Sequence, residues 1–489
     1  MSRRWADRLI GCVAALTAIV LVADAAVSIA SGTYLNLGSG VWLGLARDTH
    51  DGIFYRPLWN GAEYGGTRYF PMLFVLTAGL MRAGLAAVPA GVTVSMIGLI
   101  AMGVAVAVFL KRLGVPSSLV AAATALSMAP YFVHQTAFAI RCEPIAAAFA
   151  IFGLAMLAPL EVRGISTRHI LLAAGFFVAA FMTKITCVYA PTAATLALLA
   201  AGRRAAAVKL AVVTAAGASA SLVVVNTVSS GRALESFRAC ALAGSSPLSL
   251  LSPAAVTRAI QLIGTSHLLT VVFLLSVVAL AISDRAWFKL TTLYFFASAA
   301  MTAVIFTSPG TILTSQIVDA YVAAVVVLAT AVAGQPGRLR GVGAFVLIAL
   351  GFWTAGQNVS RVYGMIHSDA AGTGIQEQAE IIAEVNRCGG TILSESALIP
   401  VLAGQRPVLL DPFAFHVVAL NRPDVEKDLV ARITRRQFSC VVLEQDPSTP
   451  KGHAWYTNVN LTRDVIDGTL QHYRLDRTIA GERFFKAVQ

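Results

Sequence analysis

The sequence predicts an α-helical polytopic membrane protein that ends in a small extracytoplasmic α/β domain. Of its 489 residues, 57% are hydrophobic and only 13% are charged, whereas soluble domains carry about 25% charged residues. Long apolar runs recur through residues 1–364, and charged residues return to ordinary soluble density in residues 365–489. Composition therefore excludes a water-soluble globule. It divides the chain into a membrane domain (1–364) and a soluble tail domain (365–489).

Apolar runs of membrane-spanning length predict about eleven transmembrane helices. The first run follows a short basic start and lacks a convincing cleavage site, so it is interpreted as a membrane helix rather than a signal peptide. The runs 170–183 and 187–201 are short for a hydrocarbon core of about 30 Å, so we expect them to be tilted or broken where they line a cavity. The predicted spans are 9–30, 91–110, 117–135, 143–160, 170–183, 187–201, 208–228, 266–282, 290–307, 317–333 and 342–362.

The distribution of basic residues predicts the orientation in the membrane. With the N-terminus in the cytoplasm, Lys and Arg are about four times denser in the inner loops than in the outer ones, as the positive-inside rule requires. An odd number of spans then places the tail domain outside the cytoplasm, together with a large outer loop at 31–90. The net charge is +12, but the basic residues are scattered without long runs or interleaved aromatics, which argues against nucleic acid as a partner.

The tail domain alternates helical and extended patterns, which is typical of a small α/β layer fold. Helices are predicted at 375–388, 425–433 and 464–473, and strands at 391–393, 408–410, 440–443 and 484–488. The six cysteines show neither a CxxC pair nor Cys/His ligand spacing. Cys388 and Cys440 both lie in the tail, where a disulfide would persist, and the sequence leaves their pairing open.

The first outer loop contains the carboxylates best suited to act as a general base. Asp48 and Asp51 are three residues apart and share a helical face. Either is a candidate for the base, because a carboxylate can take a proton from an attacking hydroxyl. Mutual repulsion would raise one pKa, and Arg47 and Arg56 would oppose that. The alternative is an ordinary polar outer loop near the membrane surface.

A glycine-rich segment in the same loop, Gly65–Pro71, resembles a phosphate cradle. The paired glycines free the backbone for a turn with exposed N–H groups, and Pro71 suits the first turn of a helix. Arg68, followed by Tyr69, lies at that helix entrance, where an anion is favoured. The alternative is a tight turn that holds Arg68 at the lipid headgroups.

Charged residues at the outer ends of predicted spans form a second set of candidates. Arg141 and Glu143 flank a cysteine, Lys184 separates the two short spans, and Asp319 begins a later span. A charge at membrane depth is expensive, so we expect these side chains to face a polar cavity or one another. Mutual ion pairs are the alternative for Arg141 and Glu143, and structural pairing is the preferred interpretation of Asp24.

These motifs together resemble bacterial GT-C integral-membrane glycosyltransferases, in the superfamily of protein O-mannosyltransferases and aminoarabinose transferases. The resemblance covers most of the chain in architecture, and its motifs are loose. Members commonly carry an Asp soon after the first helix, and Leu37–Trp42 here contains no carboxylate. The segments that carry the likeness are YRPL at 55–58, YGGTRYFP at 64–71, RCEP at 141–144, TK at 183–184 and RR at 203–204.

The resemblance implies an inverting transfer of a sugar from a polyprenyl-phosphate carrier to an acceptor outside the bacterial cytoplasmic membrane. Asp48 is the first choice for the base and Asp51 the second. The substrate-binding candidates are Arg68, Tyr69, Arg141, Glu143, Lys184 and Asp319. Fixed positive charge there would stabilise the leaving phosphate. No cofactor is implied, and a divalent metal is compatible with the chemistry, although the sequence shows no dedicated cluster of metal ligands.

Two other classes of function fit the sequence. A multi-span transporter or lipid flippase would also have broken helices and intramembrane charges, but it would not need a folded outer domain. A catalytically inactive scaffold with the GT-C fold is the third possibility, because the early carboxylate is absent. The sugar, the acceptor and the oligomeric state are left open by the sequence.

Overall fold

The computed structural model describes residues 3–31, 34–158, 165–241, 267–281, 289–307, 314–367 and 370–488, with four positions between 252 and 261. Predicted loop segments within 159–164, 242–266, 282–288 and 308–313 lie largely outside the described residues. The described chain is mostly helical, with four strands, all near the C-terminus.

In chain order, the α-helices are α1 (Arg3–Ser31), α2 (Leu37–His50), α3 (Met72–Arg82), α4 (Ala87–Arg112), α5 (Ser117–Met128), α6 (Tyr131–Phe138), α7 (Glu143–Leu157), α8 (Thr167–Thr183), α9 (Tyr189–Ala200), α10 (Arg204–Val228), α11 (Arg232–Ala241), α12 (His267–Ala281), α13 (Lys289–Ile305), α14 (Val318–Gly334), α15 (Gly337–His367), α16 (Ala370–Cys388), α17 (Leu398–Leu402), α18 (Pro412–Asn421), α19 (Pro423–Thr434), α20 (Pro450–Trp455) and α21 (Arg463–His472). The strands are β1 (Ile392–Ser394), β2 (Cys440–Leu443), β3 (Tyr473–Ile479) and β4 (Glu482–Ala487).

Within the described residues, five helices are long and apolar enough to cross a membrane, and a bent helix pair adds a sixth if it counts as one span. Other predicted spans coincide with shorter apolar helices, so the total of about eleven stays a prediction. The five long segments are Arg8–Ile29, Ala87–Arg112, Arg204–Val228, Ser315–Gly334 and Gly337–Met365.

Several predicted spans are interrupted. The run 117–135 divides into α5 and α6 around Pro130, because proline lacks the N–H group that would continue a helix. The two short runs at 170–183 and 187–201 are separated at Lys184, whose backbone is extended (φ −151°, ψ 113°), and by a 3₁₀ turn at Ile185–Val188. The expected break between these two helices is therefore present.

The chain forms two compact units. The first contains Met1–Val27, Ser95–Leu222 and Ser245–Ser368. The second contains Ser28–Val94, Val223–Gly244 and Asp369–Gln489, so it combines most of the large outer loop with the C-terminal segment.

The second unit is built around a mixed four-stranded sheet in the order β1-β2-β4-β3. Strands β1 and β2 are parallel, whereas β4 is antiparallel to both β2 and β3, with Val441 opposite Phe485. Apolar side chains from α19, α21 and the sheet form one core that includes Leu429, Ile466 and Phe485. A disulfide joins Cys388 at the end of α16 to Cys440 of β2.

One sequence prediction for this sheet is wrong, and one strand was missed. The segment 408–410 is not a sheet strand; Leu409 instead forms an isolated parallel bridge with Tyr64 of the outer loop. Strand β3 was not predicted, because its exposed face from Arg474 to Thr478 lacks the apolar alternation of a half-buried strand.

Helix α2 of the outer loop packs closely against α17 inside the second unit. A Cβ atom at Gly40 would lie 2.2 Å from the backbone nitrogen of Leu398, so only glycine allows this approach. Asn36 caps the helix by accepting hydrogen bonds from the backbone N–H groups of Gly38 and Ser39. This packing fixes the helix that carries Asp48.

Candidate functional site

A sharp break between helices in the first unit carries two of the predicted site residues. Arg141 lies between α6 and α7, Glu143 begins α7, and the two helices are bent by 110°. Ile140 in this break has φ 52°, a left-handed conformation that costs energy in a β-branched residue. Such strain is concentrated at functional sites, and non-helical backbone at membrane depth is tolerated where it is buried or lines a polar cavity.

Two further interruptions in the same unit carry the remaining candidates. Lys184 occupies the extended position between α8 and the 3₁₀ turn. Asp319 lies in the first turn of α14, directly after another 3₁₀ turn at Thr314–Ile317. All the charged candidates of the first unit are thus at helix ends or breaks, and each is buried.

The structure brings Lys184, Asp319 and Glu143 together. Lys184 Nζ donates a hydrogen bond to Asp319 Oδ2 at 3.1 Å, and Glu143 Oε1 lies 3.9 Å from the same nitrogen. Tyr189 donates a hydrogen bond from its hydroxyl to Asp319 Oδ1 at 2.7 Å. We call these four residues, Glu143, Lys184, Tyr189 and Asp319, the Lys184 cluster. The expectation that buried charges face one another is met for these residues.

Tyr189 is the member of the Lys184 cluster that the sequence analysis missed. It begins α9, five residues after Lys184, and its ring stacks with Tyr294 at a centroid distance of 6.0 Å. A hydroxyl that follows a membrane lysine by about one helical turn is the signal that could have identified it. A buried tyrosine needs a partner for its hydroxyl, and Asp319 supplies it.

Arg141 is buried at the same break as Glu143. Its backbone carbonyl accepts a hydrogen bond from Ser95 Oγ at 3.3 Å, which ties the break to helix α4. Asp24 is paired elsewhere in the first unit, as expected: His134 Nδ1 lies 2.8 Å from its Oδ2 atom, and Arg361 donates to the same oxygen. Arg361 also lies over the ring of Tyr131.

In the second unit, Asp48 forms a two-pronged ion pair with Arg56. Arg56 Nε donates to Asp48 Oδ2 and Nη2 donates to Oδ1, both at 2.7 Å, and each side chain is only 1% exposed. Arg56 Nη1 donates to the carbonyl of Pro407 at 2.7 Å. Both oxygens of the first-choice base are therefore occupied by a guanidinium.

Asp51 is more accessible. Its side chain is 25% exposed, and it pairs with Arg47, His50 and Arg406 at 3.2, 2.8 and 3.1 Å. Arg406 comes from the loop after α17 and also approaches Asp48 and Glu63, at 3.4 and 3.7 Å. The sequence analysis missed Arg406 because it lies more than 350 residues away in the chain and has no local motif.

Electrostatics distinguishes the two candidate bases. Burial raises the pKa of Asp48, while Arg56 and Arg406 oppose that shift. Partial burial acts to raise the pKa of Asp51, but hydrogen bonds from His50, Arg406 and Arg47 together outweigh it and hold the pKa below the ordinary value. Asp51 is therefore an ionised and partly accessible carboxylate at neutral pH, whereas Asp48 is a buried partner of Arg56.

The glycine-rich segment forms the turn that its sequence predicted. A Cβ atom at Gly65 would lie 2.2 Å from the carbonyl oxygen of Pro57, and α3 starts immediately after Pro71. Arg68 is exposed, with its guanidinium carbon 4.3 Å from the ring centroid of Phe413. Tyr69 stacks on Trp42 with ring centroids 4.3 Å apart. This arrangement leaves a cation exposed beside a helix start.

The candidates thus form two groups, one in each unit. The Lys184 cluster contains three of the predicted residues, and Arg141 lies beside it in the chain; Asp48, Asp51, Arg68 and Tyr69 belong to the second unit. Across the described residues, no three His, Cys, Asp or Glu side chains come together as a group that could hold a metal ion.

Comparison with known proteins identifies the fold. Neither a family model nor a curated protein matches the sequence. The solved structure of ArnT from Cupriavidus metallidurans bound to undecaprenyl phosphate is similar, with a TM-score of 0.62 and 13% identity, over 98% of this chain and 98% of that one. The apo state of the same protein gives a TM-score of 0.58 over the same shares.

A second similar structure comes from an archaeal protein. The oligosaccharyltransferase AglB from Archaeoglobus fulgidus, in complex with an inhibitory peptide and a dolichol-phosphate, matches with a TM-score of 0.53 and 11% identity. The match covers 97% of this chain and 74% of that one. This chain therefore shares the fold of these two proteins over nearly its whole length.

Proposed function

We propose that this protein is a membrane glycosyltransferase that moves a sugar from a polyprenyl-phosphate carrier to an acceptor on the extracytoplasmic side of a bacterial cytoplasmic membrane. The observation that carries the proposal is the fold likeness along nearly the whole chain to ArnT, which was crystallised with undecaprenyl phosphate. The AglB structure likewise holds a dolichol-phosphate. Two proteins with this fold thus bind a polyprenyl-type phosphate.

The orientation of the second unit is part of the proposal. Disulfides persist in oxidising compartments and are rare in the cytoplasm. The bond between Cys388 and Cys440 therefore supports an extracytoplasmic position for the C-terminal segment. It agrees with the distribution of basic residues, which favours a cytoplasmic N-terminus.

The proposed contact with the donor phosphate uses Arg68 of the second unit. Arg68 presents an exposed guanidinium, which is suited to two-pronged binding of phosphate. Fixed cations stabilise the negative charge that develops as the carrier phosphate leaves. Apolar helices would admit the polyprenyl chain from the lipid.

In the proposed reaction, an acceptor oxygen attacks the anomeric carbon of the sugar. The bond between that carbon and the phosphate oxygen breaks, and polyprenyl phosphate leaves with the bonding electrons. The acceptor proton passes to a carboxylate of the first outer loop. We assign this role to Asp51, because it is partly exposed and ionised, and we assign to Asp48 the role of holding Arg56.

The reaction distinguishes this proposal from its alternatives. Purified protein in proteoliposomes would be given a panel of radiolabelled undecaprenyl-phosphate sugars together with membrane extract as the source of acceptor. A glycosyltransferase transfers label to a product. Movement of the donor across the bilayer without transfer would indicate a flippase, and neither activity would indicate a scaffold with the GT-C fold.

Variants test the assigned base. We expect Asp51→Asn to lower turnover by about a hundredfold or more, which is the usual contribution of general base catalysis. Asp424→Asn is the matched control, because Asp424 is an exposed carboxylate that pairs with a neighbouring arginine, Arg422. Turnover unchanged in Asp51→Asn would contradict the assignment of Asp51.

A further inference from the structure

We propose that the Lys184 cluster binds the neutral, hydroxyl-rich sugar of the donor rather than its phosphate. This inference rests on the proposed function and assigns a substrate group to one of its sites. It starts from the charges around the Lys184 ammonium. Lys184 Nζ lies 3.1 Å from Asp319 Oδ2 and 3.9 Å from Glu143 Oε1, so one cation pairs with two carboxylates. All three side chains are buried.

Charge balance disfavours phosphate at this position. The attraction between an incoming phosphate and Lys184 is opposed by repulsion from both carboxylates at nearly the same range. Inclusion of Arg141, which lies at the same helix break as Glu143, brings the sum of the four formal charges only to zero. A phosphate site needs a surplus of positive charge, which these residues do not provide. A sugar brings no charge and meets no such repulsion.

Hydrogen-bonding capacity favours hydroxyl groups. An ammonium has three N–H donors, and within the described part of the chain Lys184 Nζ uses one of them, toward Asp319. The nearest Glu143 oxygen is 3.9 Å away, which is beyond hydrogen-bond distance. Leaving buried donors unsatisfied is costly. Glu143 Oε2 accepts from the Cys142 thiol at 3.9 Å, and we assign Glu143 Oε1 as an acceptor for a ligand hydroxyl, so the cluster offers donors and an acceptor side by side.

Tyr189 and Asp319 act as positioning residues in this site. The two oxygens of Asp319 accept from Lys184 and from Tyr189, so the carboxylate is held on both sides. A carboxylate fixed in this way orients the ammonium toward the ligand. Sugar hydroxyls are recognised by such fixed polar groups, and a site built to pair with a hydroxyl discriminates strongly against a ligand that lacks it.

The test compares the affinity of the full-length protein for undecaprenyl phosphate alone with its affinity for undecaprenyl-phosphate sugars. Glucosyl, mannosyl and galactosyl forms serve as the panel of probes, in lipid nanodiscs. The diagnostic variant is Lys184→Gln combined with Asp319→Asn, which keeps a neutral hydrogen-bonding pair and leaves the net formal charge of the cluster unchanged. Asp424→Asn, at an exposed ion pair with Arg422, is the control, and thermal unfolding checks that every variant is folded.

For wild type, we expect at least one sugar-bearing probe to bind about tenfold more tightly than bare undecaprenyl phosphate. The Lys184/Asp319 double variant should lose that preference and retain bare-carrier binding within about twofold, whereas Asp424→Asn should retain both. Loss of bare-carrier binding in the double variant would identify a phosphate site and overturn the inference. No sugar preference in wild type would overturn it too. Failure of wild type to bind any probe would contradict the proposed function itself.

Discussion

Arg56 and Asp48 form a buried ion pair in which both carboxylate oxygens accept a hydrogen bond at 2.7 Å from one guanidinium. The pair fixes the end of helix α2 to the chain that follows it, and Arg56 extends the connection to the carbonyl of Pro407. The first outer loop and the segment after α17 are therefore joined by polar contacts within the second unit.

Removal of one partner from this pair should destabilise the protein strongly. We expect Asp48→Asn to lower the free energy of unfolding by about 3 kcal/mol, because it leaves the Arg56 charge buried without its main counterion. Denaturant unfolding of the purified protein measures the change. Asp424→Asn, in an exposed pair with Arg422, should leave the denaturant midpoint close to that of wild type, because solvent screens exposed ion pairs. Equal effects of the two substitutions would show that the buried pair contributes no more to the free energy of unfolding than the exposed pair does.

The pH dependence of turnover should identify the base. Hydrogen bonds from His50, Arg406 and Arg47 outweigh the effect of partial burial and hold the pKa of Asp51 below the ordinary value of 3.8. If Asp51 is the base, activity is present above that depressed pKa and is lost only as pH falls through it. Burial raises the pKa of Asp48 above 3.8, so an acid limb of kcat/KM above pH 3.8 would instead indicate Asp48.

Glu482 should make the second unit less stable as pH rises. Burial and the nearby Glu444 and Glu395 carboxylates raise its pKa to about 8, from an ordinary value of 4.5. The folded state holds the proton more tightly than the unfolded state, so this group favours folding below about pH 4.5 and loses that contribution as pH approaches 8.

Glu482→Gln should therefore stabilise the protein at pH 8, on the order of 1 kcal/mol relative to wild type, and flatten the dependence of Tm on pH. Thermal unfolding between pH 5 and pH 8 measures both effects. Glu377→Gln, at an exposed position on α16, is the control and should leave the pH profile of wild type in place. If Tm depended on pH as steeply in Glu482→Gln as in wild type, Glu482 would not be the group responsible for that dependence.

The Cys388–Cys440 disulfide should contribute a large part of the stability of the second unit. It closes a loop with a sequence separation of 52 residues, for which the chain-entropy model gives about 4 kcal/mol. A double substitution of both cysteines by serine should lower Tm and abolish the sensitivity of wild type to dithiothreitol. Cys12→Ser, at an exposed free cysteine, should change neither property.

The features best predicted from sequence are those encoded locally. Apolar runs located the long helices such as α4 and α10, since hydropathy over about twenty residues reports directly on membrane burial. The apolar runs at 170–183 and 187–201 predict two short helices on either side of Lys184. Lys184 and Asp319 are both singled out because a charge at membrane depth is expensive.

Features that depend on long-range pairing were not predictable in this way. The sequence around Arg406 is that of an ordinary loop, and only the fold shows its contact with Asp51. The sequence around Leu409 is typical of a sheet strand, but in the fold Leu409 forms an isolated bridge with Tyr64. The occupation of both Asp48 oxygens by Arg56 also depends on tertiary geometry, because the loop between them can take many paths. Local patterns identify which residues are unusual, and the fold decides which of them meet.

The most direct measurement of the central claim is donor consumption by the purified wild-type protein. Undecaprenyl-phosphate sugars labelled in the carrier are incubated with the protein and a membrane extract that supplies acceptors, and free undecaprenyl phosphate is measured over time. We predict acceptor-dependent release of undecaprenyl phosphate from at least one donor, together with transfer of its sugar. No release above the level of protein-free liposomes from any donor would contradict the account.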